Sequence, residues 1–376
     1  MSESMNLIDQ TADLQLNYYQ GPGHLESFQS GAKKLREAFA SGLTIGNANT
    51  AFYCAIQGTW FSLASGEKDL PSLLKQIDYY LHLLGTYKSE MTKYYLLCFR
   101  ETISILIDKG EATGIDEKLT QEDVSNPDNK LLELFYFHQA FRNFWLGYTE
   151  RCQHYVKLFL ELKQPRYYDL YIFKFYQGKS SCWSLFSNTV WVCAVLILYS
   201  SPPFEGLNMI DMLKKRRVYS RSEQVDLLIE SMRTAASHAG ANFKHKLELL
   251  EAEQFGVDNY PQKAMAAYDA AIASAKEAKF IHEQGLACEK AGFYYKRMKD
   301  MQKSWQYFKQ ARECYEEWGS SFKVEFVQRE LDRLQQQQNE QLVQPRGIYW
   351  WAMAGSCSDV CTYLGLGINV TRIVLE

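Results

Sequence analysis

Proline is scarce in this sequence, with 8 among 376 residues. Because proline interrupts helices and marks turns, its scarcity argues against a turn-rich β sandwich or barrel and favours long helices. The chain is 47% hydrophobic and contains 25 Tyr and 21 Phe, which supply large side chains for packing between helices. The composition therefore predicts an ordered chain with a sizeable core built from helices.

An excess of positive charge is also lacking, since 41 Lys and Arg face 44 Asp and Glu for a net charge of -3. Proteins that bind nucleic acid neutralise phosphates with a basic surface. We therefore expect no nucleic-acid partner, and a mixed-charge surface of this kind favours protein partners.

Residues 1–16 lack the pattern of a signal peptide, since they carry acidic residues and no basic segment followed by an apolar one, so we do not expect secretion. The sequence also lacks a disulfide framework: its nine cysteines are an odd number, scattered without regular spacing. Both observations predict reduced thiols and a cytoplasmic location.

One uncharged run, residues 180–204, is long enough to span a membrane. Only Val190 to Leu198 within it is strongly apolar, because six polar residues come before: Ser180, Ser181, Ser184, Ser187, Asn188 and Thr189. A spanning helix and a buried helix are both open interpretations. The short apolar core favours the buried helix, so we do not expect a membrane partner.

Motifs for nucleotide chemistry are missing. A phosphate-binding loop needs glycines followed by Gly-Lys-Ser/Thr, and the nearest stretches, SGAKKL from Ser30 and SGLTIGNANT from Ser41, lack that ending. The sequence also has no glycine-rich loop with HRD and DFG motifs, as a protein kinase would have. We therefore expect no catalytic residue and no cofactor.

Motifs for metal binding and acid–base catalysis are equally weak. The stretch HKLELLEAE from His245 lacks the second histidine of a zinc protease, and Cys152 with His154, or Cys357 with Cys361, offers too few ligands. The carboxylate pairs Glu251 with Glu253 and Glu316 with Glu317 are predicted to lie on solvated helix faces. No metal site is expected.

Apolar residues recur at helical spacing in almost every long segment, which predicts an all-α chain. Residues 65–69 are predicted to join two helices as a hairpin, and residues 111–129 to form a polar loop. The predicted helical segments are 35–40, 51–64, 70–85, 91–109, a pair within 130–162 that breaks near Gly147, and an extension of the stacking over 169–200.

A repeat is visible in the carboxy-terminal half. Pro261 opens a helix in which Ala264, Tyr268 and Ala271 share one face, and the same small-large-small rhythm returns 40 residues later as Ser304, Phe308 and Ala311. Small residues let two helices approach closely while the aromatic fills the space toward the next hairpin. The rhythm predicts tandem helical hairpins, a tetratricopeptide-like superhelix, over residues 245–334.

These patterns divide the chain into four predicted parts. Residues 1–30 form an amino-terminal extension, residues 31–231 a degenerate helical-repeat region, residues 232–340 the tetratricopeptide-like repeats, and residues 341–376 a divergent tail.

The repeat region resembles the helical-repeat region of large signal-transduction multi-kinases, in which a Ser/Thr-kinase-like domain and an ATPase precede the repeats and a histidine kinase or cyclase follows. The resemblance extends from Met232 to Leu334, is looser over 35–178, and departs at Gly285, Cys288 and Ser320. The matching residues are Asn242, Phe243, His245, Lys246, Ala252, Glu253, Tyr268, Asp269, Ala271, Ile272, Phe280, His282, Glu283, Leu286, Ala287, Cys314, Tyr315, Trp318, Gly319, Lys323 and Val324.

The resemblance implies a non-catalytic protein-interaction scaffold of phosphorelay signalling, with kinase or response-regulator components as partners. The alternative is a fragment of a signalling kinase or cyclase whose catalytic domains are missing. His282 followed by Glu283 is also reminiscent of a phosphoacceptor helix, but the basic residue and proline that usually follow are absent. We expect His282 and Glu283 to cap a helix or bond between helices.

A concave surface of such an array would bind peptides through aromatic side chains. The candidate residues for this groove are Tyr294, Tyr295, Trp305, Tyr307 and Trp318, although core packing is the more general role of such residues.

Overall fold

The computed structural model describes residues 26–87, 89–108, 130–161 and 223–340. These residues form twelve helices and no strand, which confirms the all-α prediction for this part of the chain. The helices are α1 (Phe28–Thr44), α2 (Ala48–Ser65), α3 (Leu70–Leu84), α4 (Glu90–Asp108), α5 (Lys130–Trp145), α6 (Thr149–Glu161), α7 (Glu223–His238), α8 (Gly240–Val257), α9 (Pro261–Glu277), α10 (Ile281–Arg297), α11 (Met301–Trp318) and α12 (321–340).

Several predictions lie outside the described residues: the loop at 111–129, the helices at 169–200, the uncharged run at 180–204 and the tail at 341–376. Helix α1 begins at Phe28, within the last three residues of the predicted extension 1–30. No helix in the described ranges combines the length and apolar character needed to cross a membrane. The chain divides into two compact units, Met1–Val327 and Gln328–Glu376. The contacts described below lie within the first unit.

The helices pack as consecutive antiparallel pairs, which confirms the predicted hairpin architecture. The closest pairs are α1 with α2, α5 with α6, α8 with α9, and α10 with α11. The break at 65–69 joins neighbouring pairs instead of closing a tight hairpin, because α2 packs far more extensively on α1 than on α3.

The helices of the repeat region end in the same way at regular intervals. Asn259, Lys279, Lys299 and Gly319 follow one another every 20 residues, and each has a positive φ between 60° and 82°. A residue in this left-handed conformation ends a helix and turns the chain into the next one. The repeat is therefore one helix and one turn of 20 residues, and two such units make the 40-residue hairpin.

The residues of the small-large-small rhythm are buried between helices, as their spacing predicts. Ser304, Phe308 and Ala311 are fully buried, and so are Ala264, Tyr268 and Ala271. The Ser304 hydroxyl donates to the Gly292 carbonyl at 2.9 Å. A Cβ on Gly292 would lie 2.8 Å from the Phe308 ring, so only glycine lets α10 and α11 approach this closely.

The amino-terminal helices share a core with the repeat hairpins. Phe28, at the start of α1, lies 5.1 Å from the Phe61 ring, 5.9 Å from Phe243 and 6.2 Å from Phe280 between centroids. These four rings belong to α1, α2, α8 and the residue before α10. Residues that are more than 200 positions apart in sequence therefore form one continuous aromatic core.

Two further contacts join the same halves of the chain. A Cβ on Gly319 would lie 2.6 Å from Cδ of Pro71, in the first turn of α3. Next to it, the Ser320 hydroxyl donates to the Leu106 carbonyl of α4 at 2.6 Å. The turn after α11 is thus held directly against α3 and α4.

Gly319 combines a left-handed backbone with this close approach, whereas Gly46 has a similar φ and nothing within 4 Å of its Cβ position. Gly46→Ala is expected to cost about 1–2 kcal/mol of unfolding free energy, from backbone strain alone. Gly319→Ala should cost about 1–3 kcal/mol more, because Pro71 must also move. Chemical denaturation of both variants measures the difference, and equal losses would contradict the close packing of α11 on α3.

Candidate functional site

A buried ionic cluster, formed by His245, Lys246 and Glu283, lies between α8 and α10. The side chains are at most 8% exposed. The His245 imidazole donates from Nε2 to Glu283 Oε2 at 2.6 Å, and the Lys246 ammonium donates to both oxygens of the same carboxylate. One carboxylate therefore binds two adjacent residues of the preceding hairpin.

The position of Glu283 explains why it stays charged while buried. It occupies the first turn of α10, where the helix dipole favours an anion. Burial alone would raise its pKa, but Lys246 and His245 together hold the pKa of the Glu283 carboxyl far below its usual range. Burial lowers the pKa of Lys246, and Glu283 opposes that shift.

Aromatic rings enclose the ionic cluster. The Lys246 ammonium lies 4.5 Å from the centroid of the Phe280 ring, and the His245 ring lies 4.5 Å from the same ring. Such a ring attracts the cation through its negative face while it excludes water. Phe280 also contacts Phe28, so aromatic rings separate the cluster from water on this side.

His282 lies beside the cluster, where it is 1% exposed. Its ring stacks on Trp318 at 5.1 Å and packs against Trp145 at 5.4 Å. Burial, reinforced by Lys246 and His245 and opposed by Glu283, lowers the pKa of His282 to about 3, so the imidazole is neutral at pH 7. An accessible histidine is what a phosphoacceptor needs, and this one is enclosed.

The structure separates the roles expected for His282 and Glu283. Glu283 makes the predicted bonds between helices. The capping role is wrong, because Phe280 is the N-cap of α10 and no side chain caps this helix. His282 instead packs against the turn after α2, where a Cβ on Gly66 would lie 2.5 Å from its Nδ1.

A second buried ionic pair joins α10 to α12. Lys323 Nζ lies 2.5 Å from Glu289 Oε2, and the Tyr315 hydroxyl donates to the same oxygen at 2.8 Å. The Lys323 ammonium also lies 4.9 Å from the Tyr315 ring. The arrangement repeats the first one: a lysine and a glutamate join the first helices of successive hairpins, with an aromatic ring beside the cation.

Sequence reasoning did not identify Lys246 and His245 as the partners of Glu283, and it missed the pair of Lys323 and Glu289. Glu253 was predicted to lie on a solvated face, but it is 1% exposed and accepts a hydrogen bond from the Tyr268 hydroxyl. Glu316 does lie on the surface, paired with Arg312 at 3.0 Å. The signal that distinguishes them is the helical spacing of Glu253 with buried Leu249 and Leu250, which places Glu253 on the packed side of its helix.

Three of the five groove candidates lie in the core. Trp318 is 0% exposed and Tyr294 and Tyr295 are 3% exposed, so these rings pack between helices. Trp305 is exposed at 38%, and Tyr307 is partly exposed. Only these last two offer much surface to another molecule.

We call the exposed surface of α11, together with the residues of α9 that it contacts, the α9–α11 face. Tyr307 lies on the side of α11 toward α9, whereas Trp305, two positions earlier, lies on another side of the helix. The Tyr307 hydroxyl donates to Asp269 of α9 at 2.5 Å, and its ring stacks on Tyr295 at 5.2 Å with 6° between planes. The Lys309 ammonium lies 5.7 Å from the Trp305 ring. Burial and the hydrogen bond to Asp269 raise the pKa of Tyr307, so it remains a neutral donor.

Candidate metal ligands do not gather in the described parts of the chain, where no three His, Cys, Asp or Glu side chains could hold a metal ion. Cys152 is buried, as are Cys54, Cys98, Cys288 and Cys314. Cys357 and Cys361 lie outside the described residues.

The ionic cluster predicts an asymmetric response to substitution. Lys246→Met leaves Glu283 without its buried ammonium and is expected to lower the unfolding free energy by about 3–5 kcal/mol. Lys246→Met combined with Glu283→Gln should cost less than the sum of the two single changes, because neither charge is then left alone. Urea denaturation measures these values.

The matched control is Arg312→Ala, which breaks the pair of Arg312 and Glu316, whose side chains are 39% and 46% exposed. It should cost less than about 1 kcal/mol. Strict additivity of the Lys246 and Glu283 substitutions would contradict the ionic cluster.

The lowered pKa of His282 predicts how stability depends on pH. Between its folded pKa of about 3 and its unfolded value of 6.5, the unfolded state binds the extra proton. The unfolding free energy should therefore fall as the pH drops from 6.5 toward 3, by up to about 1.4 kcal/mol per pH unit from this one group.

Denaturation at pH 5 and 6 tests this, because most of the proton uptake by carboxylates occurs at lower pH. Between pH 5 and 6, the His282→Gln chain should take up about one proton fewer on unfolding than the wild type. An unchanged pH slope in the variant would show that His282 is accessible to protons in the folded chain.

Comparison of the sequence and structure with known proteins gave no match to a family model, a curated protein or a solved structure. The relation to the repeat region of signalling multi-kinases therefore stays a prediction, based on the residues that resemble it.

Proposed function

We propose that this chain is a non-catalytic helical-repeat scaffold that binds other proteins through the α9–α11 face. Because residues 232–334 resemble the repeat region of multi-kinases, we place the chain in two-component signalling of that type, in the cytoplasm. The partners would be kinase or response-regulator components of such a relay.

The pairing of the buried charged side chains with each other supports this proposal. The buried charges of Lys246 and Glu283 form a closed pair between α8 and α10. A charged side chain that is already paired inside the protein stabilises the stack of hairpins, and it offers no free site to a substrate. His282, the residue that most resembles a phosphorylation site, is enclosed by Trp145 and Trp318.

The α9–α11 face has the features of a contact surface. Trp and Tyr are enriched at the centres of protein interfaces, where they bury large areas at little cost in side-chain entropy. Here Trp305 is exposed on α11, and Tyr307, on the side of this helix toward α9, is held in place by its hydrogen bond to Asp269. Lys303 lies 5.0 Å from the Tyr295 ring and Lys309 lies near Trp305, so cations flank the aromatic residues.

The observation that carries the proposal is the exposure of Trp305. It is the only tryptophan among the exposed large hydrophobic side chains of the described residues. A tryptophan held on a rigid helix surface is the type of residue on which binding energy concentrates.

Affinity capture with the intact chain as bait tests the proposal. The wild-type chain should retain kinase or response-regulator proteins from its own cell lysate, identified by mass spectrometry. Trp305→Ala should reduce their recovery about tenfold or more, as loss of a central contact residue does, while the melting temperature stays unchanged.

Tyr79→Ala is the matched control, because Tyr79 is an aromatic residue on α3 that is 54% exposed and belongs to neither α9 nor α11. Recovery by Tyr79→Ala should equal that by the wild type. Equal recovery by wild type and Trp305→Ala would contradict the assignment of the face, and nucleotide hydrolysis by the purified chain would contradict the non-catalytic role.

A further inference from the structure

The start of α1 is held by a side chain of α8 through two backbone hydrogen bonds. The Phe28 amide donates to Asn242 Oδ1 at 3.0 Å, and Asn242 Nδ2 donates to the Glu26 carbonyl at 2.6 Å. Asn242 is completely buried. One carboxamide thus pairs with both a donor and an acceptor of the segment Glu26–Phe28.

The side chain of Phe28 occupies an aromatic pocket beside this clamp. Its ring is 2% exposed and is surrounded by Phe61, Phe243 and Phe280. The Gln29 side chain adds a hydrogen bond to the Ala278 carbonyl, in the turn before α10, at 2.9 Å. The segment is therefore fixed to the first helices of two successive hairpins.

This combination is the chemistry by which proteins recognise peptides. A carboxamide that pairs with a backbone N–H and C=O binds a segment whatever its side chains, and a neighbouring pocket then selects one of them. Here the pocket selects an aromatic side chain, because three phenylalanine rings line it. If Asn242 only capped α1, the bond to the Phe28 amide would be sufficient. The bond to the Glu26 carbonyl and the aromatic pocket go beyond capping.

We propose that Asn242, Phe243 and Phe280 form a peptide-recognition site, and that residues Glu26–Phe28 of this same chain are its resident ligand. The segment holds the site closed to other peptides with an aromatic anchor. Loosening the segment exposes the site, so the start of α1 acts as an internal competitor.

This inference does not depend on the α9–α11 face. Asn242 and Phe28 lie on α8 and α1, whereas Trp305 and Tyr307 lie on α11. A chain that binds no partner through Trp305 can still close its own peptide site, and the two proposals can therefore fail separately.

The test uses a fluorescent peptide with the sequence of Glu26–Arg36, ESFQSGAKKLR, and the full-length chain. Phe28→Ala empties the aromatic pocket and weakens the resident segment. Fluorescence anisotropy should then show saturable binding of the peptide to the Phe28→Ala chain, at least about tenfold tighter than to the wild type.

Two controls identify the site. Adding Asn242→Ala to the Phe28→Ala chain removes the carboxamide and should weaken peptide binding by about tenfold, from the loss of its hydrogen bonds. A peptide with alanine in place of its phenylalanine should bind the Phe28→Ala chain no better than the wild type binds the original peptide.

The outcomes are decisive in both directions. Tighter binding to Phe28→Ala that requires Asn242 and the phenylalanine of the peptide supports the inference. Equal binding to wild type and Phe28→Ala, or no binding to a Phe28→Ala chain with native circular dichroism, overturns it. If the Phe28→Ala chain loses its helices, the same binding comparison is made with Phe28→Leu, which keeps an apolar side chain. Its result then supports or overturns the inference by the same criteria.

Discussion

The buried carboxylate of Glu283 is the constraint on which the packing at the centre of this molecule depends. A charge removed from water destabilises a fold unless opposite charges and hydrogen-bond donors surround it. Lys246 and His245 supply both, and they can do so only when α8 and α10 lie in one relative position. That position also places Phe243 and Phe280 where they receive Phe28.

The same device recurs one hairpin later, where Glu289 binds Lys323 and Tyr315. Small and aromatic residues bring two helices together, but apolar packing alone tolerates some sliding. A buried lysine and glutamate permit only one register, because any displacement leaves a charge unpaired. We infer that the ionic pairs fix the register of successive hairpins, and that the apolar rhythm supplies most of the stabilisation.

Local features of this structure could be predicted from the sequence. The rhythm of Ala264, Tyr268 and Ala271 identified a packed face, and Pro261 located the start of α9. These features depend on residues within one helix, so helical spacing reveals them. The turns were harder to read, because Lys279 and Lys299 adopt the left-handed conformation where glycine or asparagine is usual.

Contacts between distant segments could not be predicted. The hydrogen bond between Phe28 and Asn242 joins residues 214 positions apart, and no local pattern relates them. Burial of single residues was also hard to foresee, since Trp305 and Trp318 belong to the same helix yet are 38% and 0% exposed. Their positions on α11 decide which one faces α5 and which one faces outward.

The most direct test of this account is hydrogen exchange, followed by mass spectrometry, on the Glu283→Gln chain. Since one core joins α1 and α2 to α8 and α10, weakening the ionic cluster should accelerate exchange in all four helices together. Acceleration confined to α8 and α10, with α1 and α2 unchanged, would show that the amino-terminal helices are held independently of the cluster and would contradict its central role.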